Sequence, residues 1–185
     1  MTLEYELIDL ARAGSRDAIE SLIAGVWPHA YRIARGVLHD PALAEDAAQE
    51  ACAIVYREIS KLRSATAFGV WFYRIVVRET LAVRRPDAAL PAGVLPECVD
   101  RAETDRSVAR LDVLRALASL APHLRVAVVL RFYAGLNSRE IARVLRVPDG
   151  TIRFRLMVAR RKLERLLADG DAGTARVCGV TANAT

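Results

Sequence analysis

Apolar residues recur at steps of three and four along most of this chain, and no segment shows the strict alternation of a half-buried β-strand. In the first half the pattern predicts four helices, over residues 3–13, 15–38, 39–62 and 65–85. In the second half it predicts helices over residues 106–120, 122–136, 138–145 and from about residue 150 onward. The expected fold class is therefore all-α.

Residues with strong positional preferences mark the ends of several of these helices. Ser15 can accept a backbone hydrogen bond at the start of the second helix, and Asp40 followed by Pro41 favours the start of the third. Pro122 is expected to begin the second helix of the C-terminal half. Pro28 lacks a backbone donor and is expected to kink or break the second helix.

Between the two halves lies a segment without helical periodicity. Residues 86–105 contain Pro86, Pro91 and Pro96 and carry five acidic side chains against one basic side chain. This composition is typical of a flexible linker. We therefore expect two small helical domains at residues 1–85 and 106–168, a flexible acidic linker at 86–105 and a mobile tail at 169–185.

The stretch SREIARVLRVPDGTIRFRLMVARRKL, residues 138–163, has the spacing of a helix-turn-helix. Ser138 is expected to cap the first helix, and Gly150 and Thr151 are expected to begin the second. Arg146 falls in the turn, where a left-handed residue such as glycine is common, and a non-glycine residue there costs roughly 1 kcal/mol. The residues expected to pack between the two helices are Ile141, Ala142 and Leu145 against Ile152 and Leu156.

The second helix of this motif has two contrasting faces. An apolar stripe is formed by Ile152, Leu156, Ala159 and Leu163. The opposite side carries Phe154, Arg161 and Arg165, with Arg153 and Met157 at its margins. Arginines on such a helix can bond guanine edges or phosphates in the major groove of DNA. The alternative interpretation is an ordinary helical hairpin with a solvated basic face.

The net charge of +5 is unevenly distributed along the chain. Residues 1–85 carry 11 basic and 11 acidic side chains, whereas residues 106–170 carry 14 basic and 5 acidic ones. A single basic block of this kind is typical of a nucleic-acid-binding module. Charge alone fits a solvated basic surface equally well.

The N-terminal half places an acidic segment before a basic, aromatic one. Three acidic residues and one glutamine lie on neighbouring turns of the predicted third helix: Glu45, Asp46, Glu50 and Gln49. The segment Arg57–Arg85 then combines seven basic residues with the aromatic residues Phe68, Trp71, Phe72 and Tyr73. Cations beside aromatic rings are suited to single-stranded nucleic acid, because the cations follow the backbone and the rings stack on bases. At least two of these aromatic rings are expected to pack in the core instead.

Several function classes find no support in the sequence. The three cysteines, Cys52, Cys98 and Cys178, are odd in number and widely spaced, which favours a reducing cytosol over a disulfide framework. The histidines are isolated, and no glycine-rich phosphate loop or nucleophile motif is present, so we expect neither an enzyme nor a metal or other cofactor. The apolar runs are too short to span a membrane, and the N-terminus does not resemble a secretory signal.

Several of these motifs, taken in their order along the chain, match the pattern of a known protein family. The segments that carry it are Ala44-Glu45-Asp46 with Gln49-Glu50, Trp71 to Ile75, and Glu140-Ile141-Ala142 with Gly150-Thr151-Ile152-Arg153-x-Arg155. Over about residues 5–168 the chain resembles the small, two-domain extracytoplasmic-function sigma subunits of bacterial RNA polymerase.

The resemblance implies a set of roles in promoter-specific transcription initiation. Residues implied to bind the −35 element as duplex are Ser138, Arg139, Thr151, Arg153, Phe154, Arg155, Met157 and Arg161. Residues implied to hold the −10 element as a single strand are Arg57, Lys61, Arg63, Trp71, Arg74 and Arg78. The core polymerase would be contacted by Glu45, Asp46, Gln49 and Glu50. The implied partners are core RNA polymerase, promoter DNA and an anti-sigma protein, and the implied location is the cytoplasm.

Three positions depart from the family pattern. Phe154 replaces a serine, which places an aromatic ring where it can contact a thymine methyl. Arg78 stands where the family usually has asparagine, so the resemblance does not define the details of −10 recognition. Arg146 replaces the glycine of the turn.

Two other functions remain compatible with the residues alone. A free-standing helix-turn-helix repressor or activator would use residues 1–85 for ligand binding or dimerisation, and would bind its operator without polymerase. A helical protein-interaction module would use the basic face to bind an acidic protein.

Overall fold

The computed structural model describes residues 5–83 and 115–178, with side chains as far as Leu166. Its helices are α1 (Tyr5–Arg12), α2 (Arg16–Leu38), α3 (Pro41–Glu58), α4 (Phe68–Val83), α5 (Pro122–Phe132), α6 (Ser138–Leu145) and α7 (Asp149–Cys178). Two short 3₁₀ turns, Ile59–Lys61 and Ala65–Ala67, connect α3 to α4. The all-α prediction is confirmed, and none of the helices described is long and apolar enough to cross a membrane.

The predicted caps of α2 and α3 are confirmed. The Ser15 hydroxyl accepts a hydrogen bond from the backbone N–H of Ala18 at 3.4 Å. One Asp40 carboxylate oxygen accepts from the N–H groups of Ala42 and Leu43 at 2.9 and 3.1 Å, and Pro41 is the first residue of α3. These bonds satisfy amide groups that have no partner within the helix.

The expected break at Pro28 does not occur. Helix α2 continues without interruption from Arg16 to Leu38. Pro28 and Ala24, whose carbonyl loses its helical donor, both lie on the exposed side of α2. Water can satisfy an exposed carbonyl, so proline is less costly there than on a buried face.

Helices α1 to α4, which we call the first unit, enclose an apolar core. Leu22, Phe68 and Phe72 are among its fully buried side chains. The buried face of α3 is built mainly from alanines: Ala44, Ala47, Ala48 and Ala51. These small side chains let α3 lie close to α2, its most extensive neighbour.

Residues 115–178, which we call the second unit, are held together around Arg125. Its guanidinium donates to the carbonyl oxygens of Leu117 and Leu120 at 2.9 and 3.0 Å, and also to that of Ala118. These carbonyls lie at and just beyond the helical turn 115–118, so Arg125 caps the end of that turn.

The two units pack against each other and share one continuous core. Val129 of α5 lies against Gly36 of α2, where an added β-carbon would be only 3.1 Å from a Val129 methyl group. The Arg125 guanidinium also donates to the Val37 carbonyl at 2.8 Å. The cluster of buried residues therefore runs from Ile8 in α1 to Ile152 in α7.

Some predictions concern parts of the chain outside the described residues. The linker at 86–105 and the first part of the helix expected at 106–120 lie there, as do residues 179–185 of the expected tail. Residues 169–178 of the expected tail form the end of α7, and their mobility stays a prediction. No proline follows Leu167 within α7, and glycine weakens a helix without forbidding it.

His39 should make the stability of the protein depend on pH. It ends α2 in a left-handed conformation (φ 61°), and neither ring nitrogen has a hydrogen-bond partner. Burial, followed by the charges of Arg125 and Arg35, lowers the pKa of His39 from 6.5 to about 4. The unfolded chain therefore takes up this proton first, and the free energy of unfolding should fall as pH drops from 6.5 toward 4.

The measurement is urea unfolding at pH 7.5, 6.0 and 5.0. His39→Asn, which tolerates the left-handed backbone but does not titrate, should flatten the profile. A smaller slope should remain from His29, whose pKa is lowered mainly by burial. Equal slopes for the parent and His39→Asn would show that His39 is not the responsible group.

Candidate nucleic-acid interface

The first helix of the helix-turn-helix, α6, begins with a reciprocal capping box. The Asn137 side chain accepts from the Glu140 backbone N–H at 3.0 Å, and the Glu140 carboxylate accepts from the Asn137 N–H at 2.7 Å. The prediction of Ser138 as the cap is therefore wrong by one residue, and Ser138 is instead the first residue of α6. Asn137 takes the position because a glutamate lies three residues after it.

The turn after α6 has the geometry that its sequence predicted. Arg146 adopts the left-handed conformation at φ 54° and ψ 46°, and its N–H donates to the Ala142 carbonyl. The N–H of Val147 donates to the same carbonyl at 3.1 Å. Helix α7 then begins at Asp149, one residue before the predicted start at Gly150.

The apolar stripe of α7 is buried, as its spacing predicted. Ile152 and Ala159 are fully buried, and Leu156 and Leu163 are partly buried. From α6, Ile141 and Val144 complete the contact with α7, while Ala142 and Leu145 are partly buried. Val144 was missed from the sequence, although its step of three from Ile141 is a helical core spacing.

The opposite face of α7 is exposed. The Phe154 ring is 60% exposed and Met157 is 42% exposed, so both apolar side chains are accessible to a partner. Arg153 and Arg161 are exposed on the same side, and Arg139 is exposed on α6. Ser138, Thr151 and Arg155 are half-buried at the margins.

The basic side chains of α7 differ in whether they form an ion pair or hydrogen bond within the protein. Arg160 pairs with Glu164 at 2.7 Å, and Lys162 donates to the Ser119 carbonyl at 2.8 Å. Arg153 makes a longer ion pair of 3.2 Å with Asp149. Arg155 and Arg161 have no side-chain partner among the described residues. Arg161 is therefore both exposed and unengaged.

The acidic residues predicted to contact polymerase form one exposed face of α3. Gln49 donates to Glu45 at 3.2 Å, and Glu50 pairs with Arg57 at 2.8 Å. Asp46 makes no side-chain bond among the described residues. Its charge is therefore not neutralised by a neighbour.

Three of the four aromatic side chains expected near the basic segment belong to the core. Phe68, Phe72 and Tyr73 are at most 3% exposed, and only Trp71 is partly exposed. The two phenylalanine rings stack at 5.8 Å between centroids. Packing thus accounts for most of the aromatic pattern, and of these four rings only that of Trp71 is partly accessible.

A cleft of about 490 Å³ between α3 and α4 brings some of the predicted −10 residues together. Its lining residues are Glu50, Ile54, Arg57, Glu58, Trp71, Ile75, Arg78 and Glu79. Arg57, Trp71 and Arg78 are the predicted members, whereas Glu79 and Glu58 were missed because the sequence does not show which acidic residues face a groove. Lys61 lies at its border through a 2.9 Å pair with Glu58.

Arg63 and Arg74 are not part of this cleft. Arg63 is exposed, and its backbone carbonyl accepts from Arg12 at 2.9 Å. Arg74 turns toward the second unit and donates to the Arg143 carbonyl of α6 at 2.9 Å. The six residues predicted to hold the −10 strand thus do not form a single surface in this arrangement.

Comparison with known proteins decides the family. A model described as Sigma-70 region 2 matches residues 22–85, and one described as Sigma-70, region 4 matches residues 110–163. The ECF RNA polymerase sigma factor SigM of Mycobacterium tuberculosis is 32% identical over 165 residues, covering 89% of this chain and 84% of SigM. The chain belongs to the extracytoplasmic-function RNA polymerase sigma factors. It is a promoter-specificity subunit that binds core polymerase and promoter DNA, and not an enzyme.

Other relatives agree with this membership. The RNA polymerase sigma-H factor of Pseudomonas aeruginosa is 26% identical over 180 residues, covering 89% of this sigma factor and 93% of its relative. The solved structure of CnrH in complex with the cytosolic domain of CnrY has a similar fold, with a TM-score of 0.70 and 21% identity. It covers 89% of this chain and 97% of CnrH. The membership decides against the free-standing repressor and the protein-interaction module.

The strained turn of this sigma factor offers a test of the motif's geometry. Arg146→Gly removes the steric conflict of a left-handed β-carbon, so it should raise the free energy of unfolding by roughly 0.5–1 kcal/mol. Arg146→Ala keeps the β-carbon and should give no such gain. Urea unfolding of both variants beside the parent provides the measurement, and equal stability of the Gly and Ala variants would contradict the observed backbone geometry.

Proposed function

We propose that the second unit reads the −35 element through the exposed face of α7, while the first unit holds the −10 strand and docks on core polymerase. The observation that carries this proposal is the contrast along α7. Its buried stripe orients the helix, and its opposite face presents unengaged arginine beside an exposed Phe154 ring. A helix held in this way can enter the major groove with its charged face toward the bases.

Each −35 residue has a role that suits its exposure. Arg153 and Arg161 bond guanine edges or phosphates, and the Phe154 ring contacts a thymine methyl. Thr151, near the start of α7, binds a phosphate oxygen with help from the helix N-terminus. Contacts at the border of the motif are assigned to Ser138, Arg139, Arg155 and Met157.

The −10 strand is assigned to the cleft between α3 and α4, together with Arg63 and Arg74 outside it. Trp71 stacks on an unpaired base, an interaction worth about 1–3 kcal/mol. Arg57 and Lys61 now pair with exposed carboxylates of the same unit, and the exposed Arg78 pairs with the half-buried Glu79. Such surface pairs contribute only about 0–1 kcal/mol, so the phosphates of the DNA strand can replace the carboxylates at low cost.

Core polymerase is assigned to the exposed acidic face of α3, formed by Glu45, Asp46, Gln49 and Glu50. The uncompensated charge of Asp46 supports this assignment, since it can pair with a basic polymerase surface without first breaking an internal bond.

The cytoplasm is the proposed location, because core polymerase and promoter DNA are found there. CnrH, which shares this fold, binds the cytosolic domain of CnrY. We propose that this sigma factor likewise has an anti-sigma partner. Coprecipitation from its native cells, followed by mass spectrometry of bound proteins, would identify such a partner.

The decisive experiment for the −35 assignment is transcription in vitro with core polymerase over a promoter library. Arg161→Ala should reduce −35-dependent RNA synthesis by about tenfold, which corresponds to a base or phosphate contact of about 1–3 kcal/mol. Arg160→Ala is the matched control, because Arg160 is adjacent but engaged by Glu164. Arg153→Ala should behave like Arg161→Ala, and all three variants should still be captured by core polymerase.

Two outcomes would contradict the assignment. Equal losses for Arg160→Ala and Arg161→Ala would mean that general charge, and not this face, matters. A library in which the protein does not change where RNA synthesis begins would overturn the proposed function itself.

The polymerase contact predicts a loss of capture on charge reversal at Asp46. Asp46→Arg should weaken binding to core polymerase by about tenfold or more, because a like charge then faces the basic partner surface. Asp17→Arg, another exposed acid reversed on α2, is the control and should bind normally. The readout is retention on immobilised core polymerase, with thermal melting to establish that both variants fold. Normal capture of Asp46→Arg would remove α3 from the interface.

A further inference from the structure

We propose that the ion pair between Arg78 and Glu79 makes the cleft between α3 and α4 selective for guanine at one position of the −10 strand. Arg78 bonds the base, and Glu79 is a positioning residue that holds the Arg78 guanidinium. The inference rests on the proposed function, because it names the base that the −10 cleft selects.

Glu79 lines the cleft but is largely withdrawn from water. Its side chain is 15% exposed, whereas those of Glu50 and Glu58, which line the same cleft, are 51% and 43% exposed. A carboxylate that has lost most of its water needs a bond within the protein to stay charged. The Nε of Arg78 supplies this bond at 2.6 Å. Glu79 therefore gives up its arginine less readily than the two exposed carboxylates give up their cations.

The bond to Glu79 leaves most of the Arg78 guanidinium available to a ligand. Arginine carries several N–H donors, and the bond through Nε uses only one of them. The Arg78 side chain is 64% exposed, and its Nη1 and Nη2 groups have no partner among the described residues. Because the guanidinium is planar, a bond at Nε also limits the directions in which both Nη groups point. Two adjacent donors held in one plane can bind two adjacent acceptors at once.

Guanine is the base that fits this pair of donors. Its O6 and N7 are adjacent acceptors on one edge, whereas adenine has an amino donor beside N7, and the same edge of thymine has O4 beside a methyl group. Cytosine has adjacent acceptors only on its pairing edge, and its single ring covers less of the Trp71 indole than a purine does. The other lining residues suit a base ring, because Trp71 is partly exposed and Ile54 and Ile75 are apolar.

Two further cations at the cleft are suited to the backbone of the strand. Arg57 and Lys61 pair with the exposed carboxylates of Glu50 and Glu58 at 2.8 and 2.9 Å. Exposed pairs of this kind are weak, so a phosphate can take the place of the carboxylate. A phosphate contact strengthens binding of every sequence, whereas a base contact strengthens binding of one. This difference separates the role of Arg78 from that of Arg57 by experiment.

The first measurement locates the selected position. Core polymerase carrying the full-length protein is titrated with single-stranded oligonucleotides of the −10 strand, in which each position is changed in turn. The parent should bind guanine about tenfold more tightly than adenine at one position. Arg78→Ala should reduce this preference to about twofold or less and leave the other positions unchanged. Arg78→Lys keeps the charge but lacks the planar fork, so it should lose the preference as well.

Base analogues at that position test which edge is read. 7-Deazaguanine lacks the N7 acceptor, so the parent should bind it about fivefold or more weakly than guanine, whereas Arg78→Ala should bind both alike. Inosine keeps O6 and N7 and lacks only the 2-amino group, so the parent should bind it nearly as tightly as guanine. Equal binding of guanine and 7-deazaguanine by the parent would show that Arg78 does not read this edge.

Variants of Glu79 test the positioning role. Glu79→Leu removes the acceptor for Nε and should lower the guanine preference about threefold or more, although Glu79 does not touch the base. Glu79→Gln keeps an acceptor oxygen and should retain most of the preference. The matched control is Arg57→Ala on the opposite wall, which should weaken binding of every oligonucleotide and leave the preference unchanged. Thermal melting establishes that each variant folds, and an unchanged preference in folded Glu79→Leu would remove Glu79 from the mechanism.

The inference and the proposed function fail in different ways. If the parent directs initiation from particular promoters but shows no guanine preference that depends on Arg78, or prefers another base there, only the inference is overturned. If the parent does not change where core polymerase begins RNA synthesis, the proposed function fails and the inference fails with it.

Discussion

The orientation of α7 is set by burial at two points of one stripe, and the direction of its exposed basic face depends on it. Ile152 inserts into the core that both units share, while Ala159 inserts into a smaller core with Leu117, Leu120 and Leu124. Leu156 contacts both clusters. A helix held at two points two turns apart cannot rotate about its axis without exposing an apolar side chain. The face of α7 that carries Phe154 and the arginines is therefore held toward solvent.

Positive charge in the second unit serves two distinct purposes. Arg125 is partly buried and donates to carbonyls of both units, so it stabilises the fold and is not displayed to DNA. Lys162 and Arg160 are likewise engaged on the surface of the unit. The number of basic side chains in the second unit is therefore larger than the number available to bind DNA phosphates. Within the described residues of this unit, the arginine side chains without a hydrogen-bond or ion-pair partner are those of Arg139, Arg143, Arg146, Arg155, Arg161 and Arg165.

The same guanidinium chemistry links the two units. Arginine offers several donors in a rigid plane, so Arg125 can satisfy a set of carbonyl groups that a lysine would satisfy only in part. Hydrogen bonds of this kind contribute modestly in net terms, because the groups bond to water when separated. The interface between the two units combines these bonds with buried apolar contacts.

The sequence by itself determined the features that depend on residues within about one helical turn of each other. The caps at Ser15 and Asp40, the left-handed Arg146 and the two faces of α7 are all of this kind, because their partners lie three or four positions away. Even such local features were not all predicted correctly, because the sequence suggested Ser138 as the cap of α6 and the structure has Asn137. Serine and asparagine both favour the N-cap position, and only the hydrogen bond with Glu140 distinguishes the two residues. The sequence also did not show that Pro28 lies on the exposed side of α2, which is why the helix continues through it.

Tertiary structure alone decided which cations are free, which aromatic rings are buried and how the units meet. Arg74 finds its acceptor on Arg143, and Arg125 finds one on Val37, far away in the chain. Helical periodicity assigns a residue to a face but does not name the element that covers that face. Trp71 and Tyr73 therefore looked equivalent in the sequence, and only the packing of α6 and α3 on α4 separated the accessible ring from the buried one.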